Sequence, residues 1–428
     1  MKTQNSAHRA TIRSIPIAAA AVLAIALSGC TTSSSDSSAS SVALDCGSAT
    51  GTPATGSPIK LGALSVDAPG IVYTASTDAA SAYFDCVNDN GGINGHPIDY
   101  TVYHDALEPA PSTALATQLV EQDGVLGIVG GASVMDCLAN QQYYASKGFY
   151  LVGMALPDGC FAQTNYSPVN AAGQTIIPAA QLLVKQGVKK IVLVSNAAPG
   201  IEVSGQMMAQ FGQSVGVETE QIVENVPLSD ANGLAVRLVQ EAGPDGGVVL
   251  NLGTGDPQLL AAIEAQGLID QVKWGSDSSI LLDSTASGLS SAWNDKLSVA
   301  SDFALSSTDA PDIDQFKAVL AKYSPNTSKD ATSISGYLAA QMATEALLAL
   351  PDDQLTVKGV NDAIAGIKGF TSDFLCQPFS YGSGDHHMSN NSVREVTVRD
   401  GAWVETSGDC FDIAAVPLNY LEQIRASL

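Results

Sequence analysis

From Ile59 onward the chain alternates short apolar runs with longer stretches of helical period, and this rhythm restricts the fold more than any other feature of the sequence. Alternation of this kind builds a mostly parallel sheet with crossover helices. The first series reads as a strand at 59–64 and a helix at 74–90, with Ala75, Ala79, Ala82, Tyr83 and Val87 on its apolar face. Gly91-Gly92-Ile93-Asn94-Gly95 ends that helix. A strand at 98–104, a helix at 111–122, a strand at 125–129, a helix at 135–147 and a strand at 149–153 complete the series. A second series of similar build starts after Ala171-Ala172-Gly173. Its helices at 176–186, 202–215, 231–242 and 257–266 alternate with strands at 190–195, 219–226, 247–252 and 272–275. Asp256-Pro257 reads as a helix start, with an N-cap carboxylate and proline in the first turn. Beyond Val299 the pattern turns helical, at 313–323, 333–350 and 360–367. Residues 374–404 then read as strands around Gly382-Ser383-Gly384, with Asp400-Gly401 as a hairpin turn.

The N-terminus carries a different signal. Lys2, Arg9 and Arg13 precede an apolar run from Ile15 that ends in Leu27-Ser28-Gly29-Cys30. A cationic start, an apolar core of about 7 to 15 residues and a small-residue cleavage site make a secretory signal peptide, too short to span a bilayer stably. Leu-Ser-Gly-Cys resembles the bacterial lipobox, which implies lipidation of Cys30, removal of residues 1–29 and anchoring on the outer face of the cytoplasmic membrane. An ordinary secreted protein with a chance cysteine is the plainer alternative. Residues 30–57 are serine-rich at their start and read as a flexible tether.

With 428 residues, of which 45% are hydrophobic, the chain has material for two ordinary domains, and no second membrane-spanning run is visible. A formal net charge of -24 argues against phosphate-backbone binding, so nucleic acid is not an expected partner. Six of the seven cysteines remain once Cys30 is assigned to the lipobox. In an exported chain they imply disulfides, and six cysteines permit fifteen pairings. Pairing in sequence order is favoured. Cys137 and Cys160 flank successive strand-to-loop turns, Cys376 and Cys410 bracket one strand-rich segment, and Cys46 would pin the tether to the first helix through Cys86. No Cys-x-x-Cys and no histidine at ligand spacing suggests a metal site, and no cofactor is expected.

Asn88-Asp89-Asn90-Gly91-Gly92-Ile93-Asn94-Gly95 after the first helix and His104-Asp105 at the end of the next strand resemble segments of the type I periplasmic binding proteins. Glu108-Pro109, Val125-Leu126-Gly127-Ile128-Val129-Gly130, Asp385-His386 and Asp400-Gly401-Ala402-Trp403 fall where that family has similar segments. The nearest group is the leucine/isoleucine/valine-binding branch, solute receptors for ATP-driven importers. The resemblance implies an α/β fold of two doubly wound parallel-sheet lobes joined by a multi-crossover hinge. One lobe would hold residues 58–173 plus 300–369, the other 174–299 plus 370–428. Ligands bind beyond the carboxyl ends of strands in open α/β sheets, so two such rims would face each other across a hinged cleft.

On the first rim the candidate ligand-binding loop is Gly130-Gly131-Ala132-Ser133-Val134, where glycines admit a ligand close to the backbone and Ser133 offers a donor. The local alternative is helix capping, since Ser133-Val134-Met135-Asp136 has capping-box spacing. Where related amino-acid receptors carry a serine-rich stretch, this chain has Val134 and Met135. Ala155-Leu156-Pro157-Asp158-Gly159-Cys160 lines the same wall by resemblance, with backbone and apolar contacts at Ala155 and Leu156 replacing a side-chain hydroxyl. Tyr73 is placed to lay a ring over the ligand, or else to act as a partly buried cover. On the second rim Pro199-Gly200, Gly253-Thr254-Gly255 and Gly275-Ser276-Asp277-Ser278 fall at strand ends. By resemblance Asp277 would pair with a ligand ammonium, while its local alternative is a turn cap.

An enzyme is not expected. The chain has no Gly-x-Ser-x-Gly elbow, no Gly-x-Gly-x-x-Gly and no phosphate loop, and His386-His387 lies in a Gly-Ser-Gly-Asp turn that reads as a solvated hairpin tip. The reading is a lipid-anchored receptor that closes on a small solute, an amino acid or a related polar or amphipathic compound, and delivers it to an ABC permease. A ligand-sensing receptor of the same fold and an anchored hydrolase are the alternatives.

Overall fold

The computed structural model describes residues 44–68, 71–156, 160, 164–171, 175–197, 201–382 and 389–414. The signal peptide, Cys30, Pro157, Pro199, Gly200 and His386-His387 lie outside the described residues.

Two sheets organise the chain. The first contains β1 (Ile59–Ala68), β2 (Ile71–Val72), β3 (Ile98–Asp105), β4 (Gly127–Val129), β5 (Leu151–Gly153) and β6 (Tyr166–Pro168). Strands run β3-β1-β4-β5-β6 in parallel, and β2 folds back antiparallel on the end of β1. The second contains β7 (Lys190–Asn196), β8 (Glu218–Glu224), β9 (Gly246–Asn251), β10 (Lys273–Ser276) and β11 (Leu297–Ser301) in parallel order β8-β7-β9-β10-β11. After a small ribbon of β12 (Lys368–Phe370) and β13 (Phe379–Ser380), the antiparallel pair β14 (Ser392–Arg399) and β15 (Ala402–Asp412) extends the second sheet beyond β11. Leaving the β2 ribbon aside, the parallel strands of each sheet follow the order second, first, third, fourth, fifth. That order reverses between β1 and β4 in one lobe and between β7 and β9 in the other. Ligands of doubly wound sheets sit at such reversal points.

Buried on both faces, these strands read as near-continuous apolar runs rather than alternating ones. All five of Ile191, Val192, Leu193, Val194 and Ser195 in β7 are buried. In the first lobe, helix Thr74–Asp89 packs on helix Ala331–Leu348 with Tyr83 and Tyr337 edge to face at 5.0 Å. Gly336 is the point of closest approach, since a Cβ there would stand 1.8 Å from the Ser76 carbonyl oxygen.

The described chain crosses between lobes three times, after Pro168, after Ser301 and after Tyr381. The Asn390 amide joins all three crossings, because its Nδ2 donates to the carbonyls of Val169 (3.2 Å) and Asp302 (3.3 Å). The limits drawn from sequence shift accordingly. Ala300 lies in β11 and packs in the second lobe, whereas Phe370, Phe374, Leu375 and Phe379 pack in the first. Residues 44–57 lie along the first lobe, with the Ser48 hydroxyl on the Gly92 carbonyl at 2.8 Å and Cys46 in the core.

The disulfides pair in sequence order, Cys46–Cys86, Cys137–Cys160 and Cys376–Cys410, with Cα separations of 5.8, 5.6 and 5.8 Å. Because Cys376 follows core residues of the first lobe and Cys410 lies in β15, the third bond ties the two lobes together beside the crossings.

Strand β11 escaped the sequence reading because its Ser298 and Ser301 interrupt the apolar run. The helix expected at 135–147 is two, Val134–Ala139 and Gln141–Lys147. Asn140 divides them. Its side chain donates to Asp136 Oδ1 (2.9 Å) and Ser112 Oγ (3.2 Å) and accepts from Thr113 Oγ1 (2.7 Å). The Asp400-Gly401 turn forms as expected, with φ of 49° and 75° and Arg399 opposite Ala402.

Candidate functional site

The loop at the first reversal point is shaped by its neighbours. Gly130 holds φ 76°, and a Cβ there would stand 2.8 Å from that of Ala80. The Gly130 amide donates to Val152 O (2.8 Å), Gly131 O accepts from the Met154 amide (2.9 Å), and Ala132 exchanges 3.0 Å bonds with Leu64 O and the Val66 amide. These backbone groups are therefore spent inside the lobe.

Ser133 is likewise committed. Its hydroxyl accepts from the Asp136 amide at 2.9 Å, capping helix Val134–Ala139, and donates to Asp105 Oδ2. The capping reading is the one realised, and the expected ligand donor points into the lobe. Asp136 does not return the reciprocal bond of a capping box. It accepts from Asn140 Nδ2 and the Tyr144 hydroxyl, both at 2.9 Å, and burial raises its carboxyl to about 6. Asp105, Ser112, Ser133, Asp136, Asn140 and Tyr144 thus form a buried polar ring beneath the rim. Only the Ser-x-x-Asp spacing hinted at it.

Val134, Met135 and Leu156 of this rim are half-buried. Ala155 is buried, and the Asn170 side chain holds both its backbone groups, at 3.0 Å to the amide and 2.9 Å to the carbonyl. Ala132 and Ala155 therefore offer no free backbone group to a ligand.

The second rim is acidic. Thr254 is exposed in a short 3₁₀ turn, Gly253–Gly255. Asp256 is not the N-cap of its helix, a place taken by Gly255. Instead its Oδ1 accepts from the Leu252 amide at 3.1 Å, while buried Oδ2 has no hydrogen-bond partner among the described residues. Burial first, and the Asp277 charge second, hold its carboxyl well above the usual range.

Asp277 Oδ1 caps the turn Ser278–Ile280, accepting from the Ser279 amide (2.9 Å) and hydroxyl (2.5 Å). Burial raises its pKa and those bonds oppose the rise. Asp302, at the second crossing, accepts from Ser278 Oγ at 2.9 Å, and burial pushes its carboxyl up to about 7 with Asp277 adding to the effect.

Tyr73, held by its amide on Val66 O at 3.0 Å, is half-buried across from this cluster. After burial, the charges of Asp277 and then Asp330 raise its phenol. Of the expected site residues, Tyr73 and Asp277 lie within electrostatic reach of each other from opposite lobes, while Ser133, Ala132 and Ala155 are held inside the first.

Next to Asp330 an inter-lobe cavity of about 570 Å³ opens, a size suited to a small organic ligand. Leu281, Ser287 and Trp403 line it from the second lobe, Lys329 and Ile334 from the first, and Phe303 from the crossing. No expected site residue lines it, since its walls come from four separate stretches of sequence; of the segments singled out above, Asp400-Gly401-Ala402-Trp403 supplies one. Among the described residues no cluster of three or more His, Cys, Asp or Glu side chains is placed to hold a metal ion, and no helix is long and apolar enough to cross a membrane.

No curated protein matches the sequence. Solved structures do resemble the fold. A fatty acid ABC transporter substrate-binding protein from Thermomonospora curvata is 18% identical with a TM-score of 0.69, over 87% of this chain and 95% of that one. A branched chain amino acid ABC transporter from Thermus thermophilus with bound valine is 15% identical with a TM-score of 0.70, over 86% and 100%. An ABC transporter solute binding protein from R. palustris in complex with 4-hydroxybenzoate is 19% identical with a TM-score of 0.66, over 84% and 98%. A family model described as periplasmic binding protein matches residues 58–402. That match takes in both lobes and all three crossings, and the chain belongs to the periplasmic binding protein family.

Proposed function

We propose that the protein is a lipid-anchored extracytoplasmic receptor that captures a small polar or amphipathic solute, an amino acid or a relative of one, by closing its lobes, and delivers it to an ABC permease. The observation that carries this reading is the same strand order with its reversal point in both sheets, together with Tyr73 of one lobe lying within electrostatic reach of Asp277 in the other. A ligand touched by both lobes favours the closed form over the open one, and that differential affinity makes delivery directional. The range of solutes named for the similar structures, a fatty acid, valine and 4-hydroxybenzoate, supports an amphipathic small molecule as cargo. Anchoring rests on the Leu27-Ser28-Gly29-Cys30 motif.

A thermal-shift screen of the purified chain against amino acids, amides and ureas, and aromatic and aliphatic carboxylates tests capture. A native-state ligand at a hundred times its dissociation constant adds about 2.7 kcal/mol. A shift confined to one chemical class, with the compound recovered unchanged, is expected. Conversion of the compound to product would replace this reading with a hydrolase.

A further inference from the structure

We infer that the inter-lobe cavity beside Lys329 is where the solute sits, and that it takes a monocarboxylate with an apolar body and no ammonium group. This rests on the capture reading and narrows it. The cavity is walled by both lobes and by the crossing between them, so an occupant is in contact with every part that moves on closure. Leu281, Phe303, Leu305, Ile334 and Trp403 give it apolar walls, and the Trp403 indole nitrogen already donates to Leu282 O at 3.0 Å. Its polar handle is therefore satisfied, and the ring contributes apolar surface.

Charge decides what the polar end of the ligand must be. Asp330 lines the cavity but its Oδ1 accepts from the Thr332 (3.0 Å) and Ser333 (3.2 Å) amides that open helix Ala331–Leu348. Asp283, the other acid of the lining, stands in the first turn of helix Asp283–Gly288, where a negative charge meets the positive end of the backbone dipoles. Lys329 has no hydrogen bond or ion pair to any described residue. It is the only cation among the lining residues, whose two acids both stand at helix starts.

The rim beyond Tyr73 carries three acids, with Asp277 within electrostatic reach of both Asp256 and Asp302. A carboxylate meets no cation among them and turns toward Lys329. At the first rim the Ser133 hydroxyl and the Ala132 backbone are spent internally and leave the ligand no grip of their own.

Calorimetry of the purified full chain with benzoate, 4-methylpentanoate, benzamide, benzylamine and leucine tests the inference. The two carboxylates are expected to bind, benzamide at least tenfold more weakly. Lys329→Gln should weaken carboxylate binding at least tenfold and leave benzamide unchanged. Because Lys329 is exposed, this variant should melt with the unliganded wild type. Equal carboxylate affinity in wild type and Lys329→Gln overturns the inference. So does preferential binding of leucine or benzylamine, which keeps capture standing and moves the site to Asp277. Silence across the panel overturns it as well, and mass spectrometry of small molecules released on denaturing the purified chain then judges capture by itself.

Discussion

Ser133→Ala separates a capping serine from a ligand-binding one, because the two roles predict different losses. Removing the hydroxyl deletes an N-cap, worth about 1 kcal/mol. It also takes a donor from Asp105, which is 2% exposed and whose remaining bonds are to the Leu107 amide (3.2 Å) and Ser112 Oγ (3.5 Å). An under-satisfied buried acceptor costs about 1–3 kcal/mol more. The expected total is about 2–4 kcal/mol, read as a fall in the urea midpoint at unchanged slope. Solute affinity, measured by calorimetry where the variant is fully folded, should stay within about twofold of wild type. Ser133→Thr keeps a cap-forming hydroxyl and should recover much of the stability. A stability loss below about 0.5 kcal/mol together with a tenfold loss of affinity, about 1.4 kcal/mol of binding, would show that Ser133 serves the ligand and that the ring beneath the rim is incidental.

Asp302 has a folded pKa of about 7, above its unfolded value, so its contribution to stability is fully present below the unfolded pKa of about 4 and is lost as pH rises through 7. Asp302→Asn should therefore raise the melting temperature at pH 8 by the equivalent of up to about 4 kcal/mol and flatten its decline between pH 5 and 8; an unchanged pH profile would place the proton elsewhere. Gly336→Ala forces helix Ala331–Leu348 off Ser76, and the overpacking cost outweighs the roughly 1 kcal/mol gained in helix propensity, for a net loss of about 2 kcal/mol in urea denaturation. Replacing Cys376 and Cys410 together by serine frees the lobes from their covalent tie, so small-angle scattering of the unliganded protein should show a larger radius of gyration than wild type, with no change if the crossings alone set the hinge.

The parallel strands and their crossover helices could be read from sequence because they are buried on both faces, which forces long apolar runs such as Ile191 to Val194 between helices of 3.6 period. The disulfide order was legible for a related reason, since cysteines at the turns of consecutive elements meet in space. The reading failed where burial is polar. In β11, Ser298 and Ser301 interrupt the run. At Asn140 a helix ends on side-chain bonds to Ser112, Thr113 and Asp136, all drawn from the surrounding fold. The span 370–381 was assigned to the wrong lobe because its membership depends on Phe374 and Phe379 finding the first lobe's core, a choice that no local pattern encodes.

At the site, strand ends told where a ligand would approach but not which groups remained free to meet it. Ser133 and Asp277 are the residue types a receptor of amino acids needs, and in each the local cap already engages a side-chain oxygen. Conversely Lys329 carries no signature in sequence, being one lysine in an exposed turn before a helix. It becomes informative only when Asp330 next to it is seen to be occupied by two backbone amides and the cavity wall is seen to come from both lobes. Recognition in a two-lobed receptor depends on which polar groups remain unspent once each lobe has satisfied itself. In this protein that remainder includes Lys329, the one cation lining the cavity between the lobes. An amphipathic anion would be held there by its carboxylate, with its apolar body against Phe303, Ile334 and Trp403.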